Sequence, residues 1–316
     1  MRAGVSAGYT GHFHEAGFYG SDDELLDLVV PFVLEGVDAG EPSVLSFDEH
    51  GTTLLQEHLP ASELVTFLAG DDNYTTPARA IANYRKLFAK SLSSGAGQVR
   101  TSGQVPLQGT AGQFRGWDRY ESAVNTVYDD FPLLSLCVYD TTTMSSDVQD
   151  VVERAHPNLL TAPGVHSVSP RYQDPTSFVL APVIADPLEF SAPLLDIPDI
   201  TAAQSREVVC EIAALHLDDV TVHDLVLAAS ETVTNALVHG KPPAGLRVWA
   251  QDGRVVLHVR DAGRGPLGCL AGLMPVDSEL GAGLGLWLIH QLGIDVDLIR
   301  GDDGFTVRLC ATAAGR

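Results

Sequence analysis

Glu231-Thr232-Val233-Thr234-Asn235-Ala236-Leu237-Val238-His239-Gly240 ends a run of helical periodicity that begins at Val222, and how this stretch is read decides the fold. On a helix from Val222 to Val238, Glu231 and Asn235 lie four residues apart, so they share one face, one turn above the other. Such a face can address a metal ion. An amide oxygen suits Mg2+, a hard ion that keeps most of its waters, and the neighbouring carboxylate can take a proton from an attacking hydroxyl or water. A Glu and an Asn on a helix are more often a solvated face, so the weight falls on the motifs downstream in the chain.

Working outward, Leu246 to Ala250 and Arg254 to Arg260 alternate across Asp252-Gly253, which predicts a hairpin. That hairpin delivers Asp261 at the end of an apolar strand, followed by Ala262-Gly263-Arg264-Gly265. A carboxylate there can accept a hydrogen bond from an adenine amino group, and Gly263 and Gly265 let the backbone turn beside the ring. Pro266 to Leu280 reads as a lid. Gly281-Ala282-Gly283-Leu284-Gly285-Leu286 then opens a helix that runs to about Leu292, and unhindered amides at a helix start suit a triphosphate. The third glycine comes two residues after the second rather than three, which does not fit the dinucleotide fingerprint, and no G-x-x-x-x-G-K-[ST] occurs. Thr201 to Leu215 is a second helix, and Val296 to Arg300 with Phe305 to Leu309 form a closing hairpin around Gly301 to Gly304.

In this order, the stretch from Glu231 to Gly240, Asp261-Ala262-Gly263-Arg264-Gly265 and Gly281-Ala282-Gly283-Leu284-Gly285 resemble the N, G1 and G2 boxes of the GHKL ATPase superfamily. Thr306 matches its closing threonine. The short lid and the run Gly285-Leu286-Trp287-Leu288-Ile289 resemble the RsbW-like anti-sigma-factor serine kinases. The resemblance covers about Pro193 to Ala311. It implies a Bergerat-fold α/β sandwich, a mixed sheet with one helical layer, over residues 193–314. It also implies ATP and Mg2+ as cofactors, and serine phosphorylation of a STAS-domain anti-anti-sigma factor, with a sigma factor as a further partner. Carried over residue by residue, Glu231 is the general base, Asn235 the magnesium ligand, and Asp261 the adenine contact with Gly263 and Gly265 beside it. Gly281, Gly283, Leu284 and Gly285 fall near the phosphates, and Thr306 falls in the nucleotide site. His239 reads as a helix end and Arg264 as a solvated side chain. RsbW-like kinases commonly form homodimers through this domain, and here that point stays open.

Length and composition agree with two globular domains: 316 residues, 45% hydrophobic and 19% charged. No apolar run reaches the roughly 20 residues of a membrane span, and Met1-Arg2-Ala3-Gly4-Val5 lacks the pattern of a secretory signal, so a cytoplasmic protein is expected. A formal charge of −22 repels nucleic acid and anionic lipid, and neither partner is expected. Cys137, Cys210, Cys269 and Cys310 are scattered without zinc-ligand spacing and read as reduced, mostly buried thiols.

The first half alternates helix and strand: helix Glu24–Val37, strand Ser43–Phe47, helix Thr52–His58, strand Leu64–Leu68, helix Pro77–Ser93, strand Gln98–Ser102, helix Gly116–Tyr128, strand Leu133–Tyr139 and helix Ser146–Ala155. This rhythm predicts a parallel sheet. The strings His14-Glu15 with Phe18-Tyr19, Ala39-Gly40-Glu41-Pro42, Gly103-Gln104-Val105-Pro106, Trp117 with Tyr120-Glu121 and Asn125, Cys137-Val138-Tyr139-Asp140 and His156-Pro157 resemble the MEDS sensory domain over residues 12–160. That resemblance implies a RecA-like α/β core with a sensory role, here without a phosphate loop. His14, Glu15, Cys137 and His156 all carry donor groups, but a buried strand cysteine and a His-Pro at a helix end read as structural, and no sensory ligand is assigned. Residues 161–192, rich in proline, read as the linker.

Three functions remain on these grounds. The first is a sensor-controlled serine kinase. The second is an ATP-gated module that sequesters a sigma factor or STAS protein without catalysis. The third is a sensor histidine kinase, which needs a helical hairpin bearing a phosphoacceptor histidine where this chain has the proline-rich stretch.

Overall fold

In the first half, where helix and strand alternate, side-chain caps mark where several of the helices begin. Ser21, Thr76 and Ser145 each accept a hydrogen bond from an amide three residues ahead, fixing the starts of three helices. The structure, a computed structural model, describes residues 10–69, 76–105, 116–162, 164–178, 183–266, 269–274 and 284–313. The chain divides into two compact units near residue 181.

The first unit contains β1 (His12–Tyr19), α1 (Asp22–Ala39), β2 (Ser43–Phe47), α2 (Glu49–His58), β3 (Val65–Ala69), α3 (Pro77–Ser93), β4 (Val99–Gly103), α4 (Trp117–Val127), β5 (Leu133–Asp140), α5 (Ser146–Ala155), β6 (Asn158–Ala162) and β7 (Val165–Val168). Its seven-stranded sheet has the order β3-β2-β4-β5-β1-β6-β7. All pairings are parallel except β6 with β7. On one side, Leu25, Leu28, Val29 and Val33 of α1 and Leu55 of α2 pack on Leu45, Phe47, Leu136 and Val138. Each such side chain contributes roughly 1.5–3 kcal/mol on leaving water. The opposite side carries His12 and His14 of β1, bonded to residues of α4.

Two features depart from the sequence reading. Strand β1 sits between β5 and β6, buried at every position except Phe18, although its histidines and glutamate hide it as a strand. Strands β6 and β7 bring residues 158–168 into the first sheet, so the segment read as linker begins inside it.

The second unit contains a short 3-10 helix (Pro187–Phe190), β8 (Leu195–Ile197), α6 (Ala202–Ala213), α7 (Asp219–Val238), β9 (Gly245–Gln251), β10 (Arg254–Asp261), α8 (Leu284–Ile289), β11 (Asp295–Gly301) and β12 (Gly304–Thr312). Its sheet has five strands in the order β11-β12-β10-β9-β8, and all four pairings are antiparallel rather than mixed. Tight connections explain this: Asp252-Gly253 joins β9 to β10, with Gly253 at φ 78°, and Gly301 pairs with Gly304 across the last hairpin. One face is covered by helices. Val209 and Ala213 of α6 and Leu225, Ala229 and Val233 of α7 pack on Leu246, Val248, Val255, Leu257, Val259, Val307 and Leu309. The other face carries a strap, residues 184–191, held by side chains from β9, β10 and β12.

Candidate functional site

Helix α7 starts at Asp218, whose carboxylate accepts from the Thr221 amide at 3.1 Å. Its buried residues Val222, Leu225, Ala229, Val233 and Ala236 turn toward the sheet, which places Glu231 and Asn235 half-buried on the flank. The first turn of α8 lies against them. A Cβ at Gly285 would stand 2.7 Å from Glu231 Oε2 and 3.4 Å and 3.5 Å from the two amide atoms of Asn235. An added Cβ would press on the carboxylate, so Gly285 lies directly against Glu231 and Asn235.

The same helix reaches Asp261 through its end. The Asn235 carbonyl accepts from the amides of His239 at 2.8 Å and Gly240 at 3.1 Å, closing the helix. Gly240 then passes so near that a Cβ there would lie 2.5 Å from the Asp261 carboxylate. Asp261 is 6% exposed, and its Oδ1 accepts from the amides of Lys241 at 2.9 Å and Gly263 at 2.6 Å. Two backbone donors on one oxygen fix the carboxylate's orientation. Gly265, at φ 67°, crosses over the ring of Phe305, which a Cβ would strike.

The sequence-selected residues do not all converge. Glu231, Asn235 and Gly285 come together, and Asp261 and Gly263 join them through Gly240. Thr306 is a correction. It pairs with Arg260, while its neighbours Phe305 and Val307 point into the helix-covered core, so the two-residue period turns Thr306 to the opposite face of the sheet. There, with Arg247, His258 and Arg260, it borders a cavity of about 400 Å³ that extends to Asp261 and Ala262. Phe305 occupies the position beneath the loop. Gly281 and Gly283 lie outside the described residues, as does most of the lid, and Leu284 is described only as the first residue of α8. His239 caps α7 through its backbone and Arg264 is exposed. Sequence reasoning missed the contact role of Gly240, although it ends the first motif.

Among the cysteines, Cys269 and Cys310 are buried, Cys137 is partly so and Cys210 is exposed; all four are free thiols. In the first unit, Glu15 turns away from His14 and bonds His166 Nδ1 at 2.8 Å. Its place beside His14, Cys137 and His156 is taken by Glu121 of α4.

Residues 13–157 match the family described as MEDS, the MEthanogen/methylotroph, DcmR Sensory domain. Residues 198–311 match the histidine kinase-like ATPase domain. The chain thus carries a MEDS domain followed by a GHKL-type ATPase domain. Among curated proteins none matches. Solved structures similar to it include the histidine kinase domain of a blue-light activated histidine kinase from Erythrobacter litoralis, at 22% identity and TM-score 0.23 over 35% of this chain and 60% of that one. The blue-light activated histidine kinase itself is 24% identical with TM-score 0.23, over 35% of this chain and 40% of that one. The chain spans about 60% and 40% of the length of these two structures.

Proposed function

We propose that this chain is an ATP-dependent protein-serine kinase of the anti-sigma-factor type, which phosphorylates a STAS-domain anti-anti-sigma factor in the cytoplasm under control of its MEDS domain. The observation that carries the proposal is the seating of Gly285 against both Glu231 and Asn235. It puts an acid able to take a proton beside an amide able to hold a metal, at the start of a helix suited to phosphate.

The residues present fit ATP with Mg2+. Gly285, Gly263 and Gly240 form cradles that any Cβ would fill, and the fixed Asp261 carboxylate offers an acceptor to an adenine amino group. Asn235 would hold the ion through its amide oxygen, and Mg2+ on a triphosphate neutralises charge on the phosphate oxygens. Glu231 would take the proton of the serine hydroxyl as that oxygen bonds to the γ-phosphorus and the bond from that phosphorus to the bridging oxygen breaks, with ADP leaving.

The serine reading is favoured over a histidine kinase by residues 169–178 and 183–201. Among the described residues these hold a 3-10 helix and one short strand before α6, with no helical pair to carry a phosphoacceptor histidine. Among the described residues, no helix is long and apolar enough to cross a membrane.

The test is incubation of the purified chain with γ-labelled ATP and candidate STAS proteins, with Glu231→Ala as control. Acid-stable label on a STAS serine, lost in the variant, supports the proposal. Nucleotide binding without transfer would leave the ATP-gated sequestering module, which needs no Glu231 chemistry. Acid-labile label on histidine would overturn the serine assignment.

A further inference from the structure

Four donor side chains from four elements of the first unit meet below its surface: His14 from β1, Glu121 from α4, Cys137 from β5 and His156 at the end of α5. We propose that they hold a divalent transition-metal ion of the zinc class. The donor atoms all lie within 4.8 Å of one another. His14 Nε2 stands 3.4 Å from Cys137 Sγ and 3.7 Å from Glu121 Oε2, and His156 Nε2 stands 3.4 Å from Glu121 Oε2. A tetrahedral zinc with bonds of about 2.0–2.3 Å has ligand–ligand edges of roughly 3.3–3.8 Å. Three of the six donor–donor separations, at 3.4, 3.7 and 3.4 Å, fall within that range, and the set as a whole lies within 4.8 Å.

The protons are arranged for a cation. Asn125 donates its amide nitrogen toward the carbonyls of Glu121, Ser122 and Ala155, which turns its oxygen to His14 Nδ1 at 3.0 Å. His14 Nδ1 is therefore protonated, and Nε2 presents a lone pair to the cluster. His156 Nδ1 donates to the Val152 carbonyl at 2.8 Å, so its Nε2 is likewise bare. Tyr139 donates to Glu121 Oε1 at 2.7 Å and fixes that carboxylate. Each of these three ligands thus has an outer partner that orients it, the usual support of a metal site. Glu121 Oε2 and His156 Nε2 remain buried without a hydrogen-bond partner, a costly state for facing acceptors.

An ion removes that cost. One carboxylate and one thiolate balance a divalent charge, and two imidazoles complete a nitrogen, oxygen and sulfur set that suits zinc. The cavity bordering His14, Glu121 and Cys137 is about 20 Å³, room for an occupant the size of a water. Three of the four residues stand out in the sequence for their donor groups. The fourth donor there is Glu15, which the strand period sends to the other side of the sheet, and Glu121 takes its place.

The full chain, stripped with chelator, reloaded with Zn2+ or Co2+ and desalted, tests this by elemental analysis and absorption. The expected result is about one zinc per chain, with tetrahedral d–d bands and a thiolate charge-transfer band in the cobalt form. Cys137→Ser should abolish the charge-transfer band, and His156→Ala should lower zinc affinity at least about tenfold. Glu15→Gln, on the same strand as His14 but outside the cluster, should leave both unchanged. Should the variants fail to fold, the unmodified chain decides alone through its cobalt spectrum. Failure to retain zinc, a cobalt form without the thiolate band, or equal zinc retention in Cys137→Ser and His156→Ala would each overturn the site.

Discussion

At Gly285 a single added atom would press on the candidate cleft. Adding a Cβ there presses on Glu231 Oε2 at 2.7 Å, and either the carboxylate or the first turn of α8 must move. Gly285→Ala should weaken Mg-ATP binding about tenfold, roughly 1.4 kcal/mol, while the thermal midpoint stays close to the parent, because the site lies outside the main core. Titration calorimetry beside a melting curve separates the two quantities; a large stability loss at full affinity would show that Gly285 serves packing instead. Asp261 makes a sharper test. Its Oδ1 is committed to the Lys241 and Gly263 amides, so Asp261→Asn keeps that bond through the amide oxygen and turns a donor toward the ligand. Loss of magnesium-dependent ATP affinity is expected in this variant, of about ten- to a hundredfold, and also in Asn235→Ala. Unchanged binding in both would defeat the site assignment.

At the scale of elements, the strap over the outer face of the second sheet accounts for much that the sequence concealed. Arg308 of β12 is buried among Asp297, Glu189 and the Ile184 carbonyl, at 2.7–2.9 Å. Trp249 Nε1 donates to Ser191 O at 3.0 Å. These partners lie more than fifty residues apart in sequence except Asp297, and a stretch punctuated by Pro182, Pro187 and Pro193 carries no period to announce them. Local patterns were legible where periodicity and caps coincide: β2, α3 and α5 begin and end at the residues that the apolar spacing predicts. Strand β1 was not, because His12, His14 and Glu15 are polar residues that only tertiary bonds make acceptable in a buried strand. In the candidate site, the order of motifs singles out Glu231, Asn235, Asp261 and Gly285, while the face of Thr306 depends on a register no motif encodes. Arg308→Ala should destabilise the second unit by about 3–5 kcal/mol, since it strands two carboxylates; urea unfolding measures it. The strap should also loosen in acid. Burial pushes the Asp186 carboxyl upward, but the Arg254 guanidinium and the Leu188 amide outweigh it and hold its pKa below the usual value. A lowered folded pKa gives stability that is present above the ordinary carboxylate value of about 3.9 and is lost as pH falls through the folded value. Urea midpoints should therefore drop over that acidic window, and Asp186→Asn should flatten the drop; an identical pH profile in the variant would remove Asp186 from the account.

For the whole molecule, each unit owns a core: Leu25, Val33, Phe47 and Leu136 in the first, Leu225, Val233, Leu257 and Leu309 in the second. Two cores predict two calorimetric transitions. A nucleotide bound only by the folded second unit raises its stability by RT ln(1 + [L]/Kd), about 2.7 kcal/mol at a hundredfold excess over Kd, and Asn235→Ala should erase the rise. The sensory role of the first unit adds a stronger demand, because linkage is reciprocal. If a change in the MEDS domain alters ATP affinity by some factor, ATP must alter the equilibrium of the MEDS domain by the same factor. Couplings of this kind amount to about 1–3 kcal/mol, enough to move a calorimetric midpoint by several degrees. Scanning calorimetry with Mg-ATP should accordingly shift both transitions, the second through binding and the first through coupling, and both shifts should vanish in Asn235→Ala. A first transition that stays fixed while the second rises would rule out control through nucleotide affinity, and would move any regulation to the rate of phosphoryl transfer, where reciprocity places no such requirement on the equilibrium.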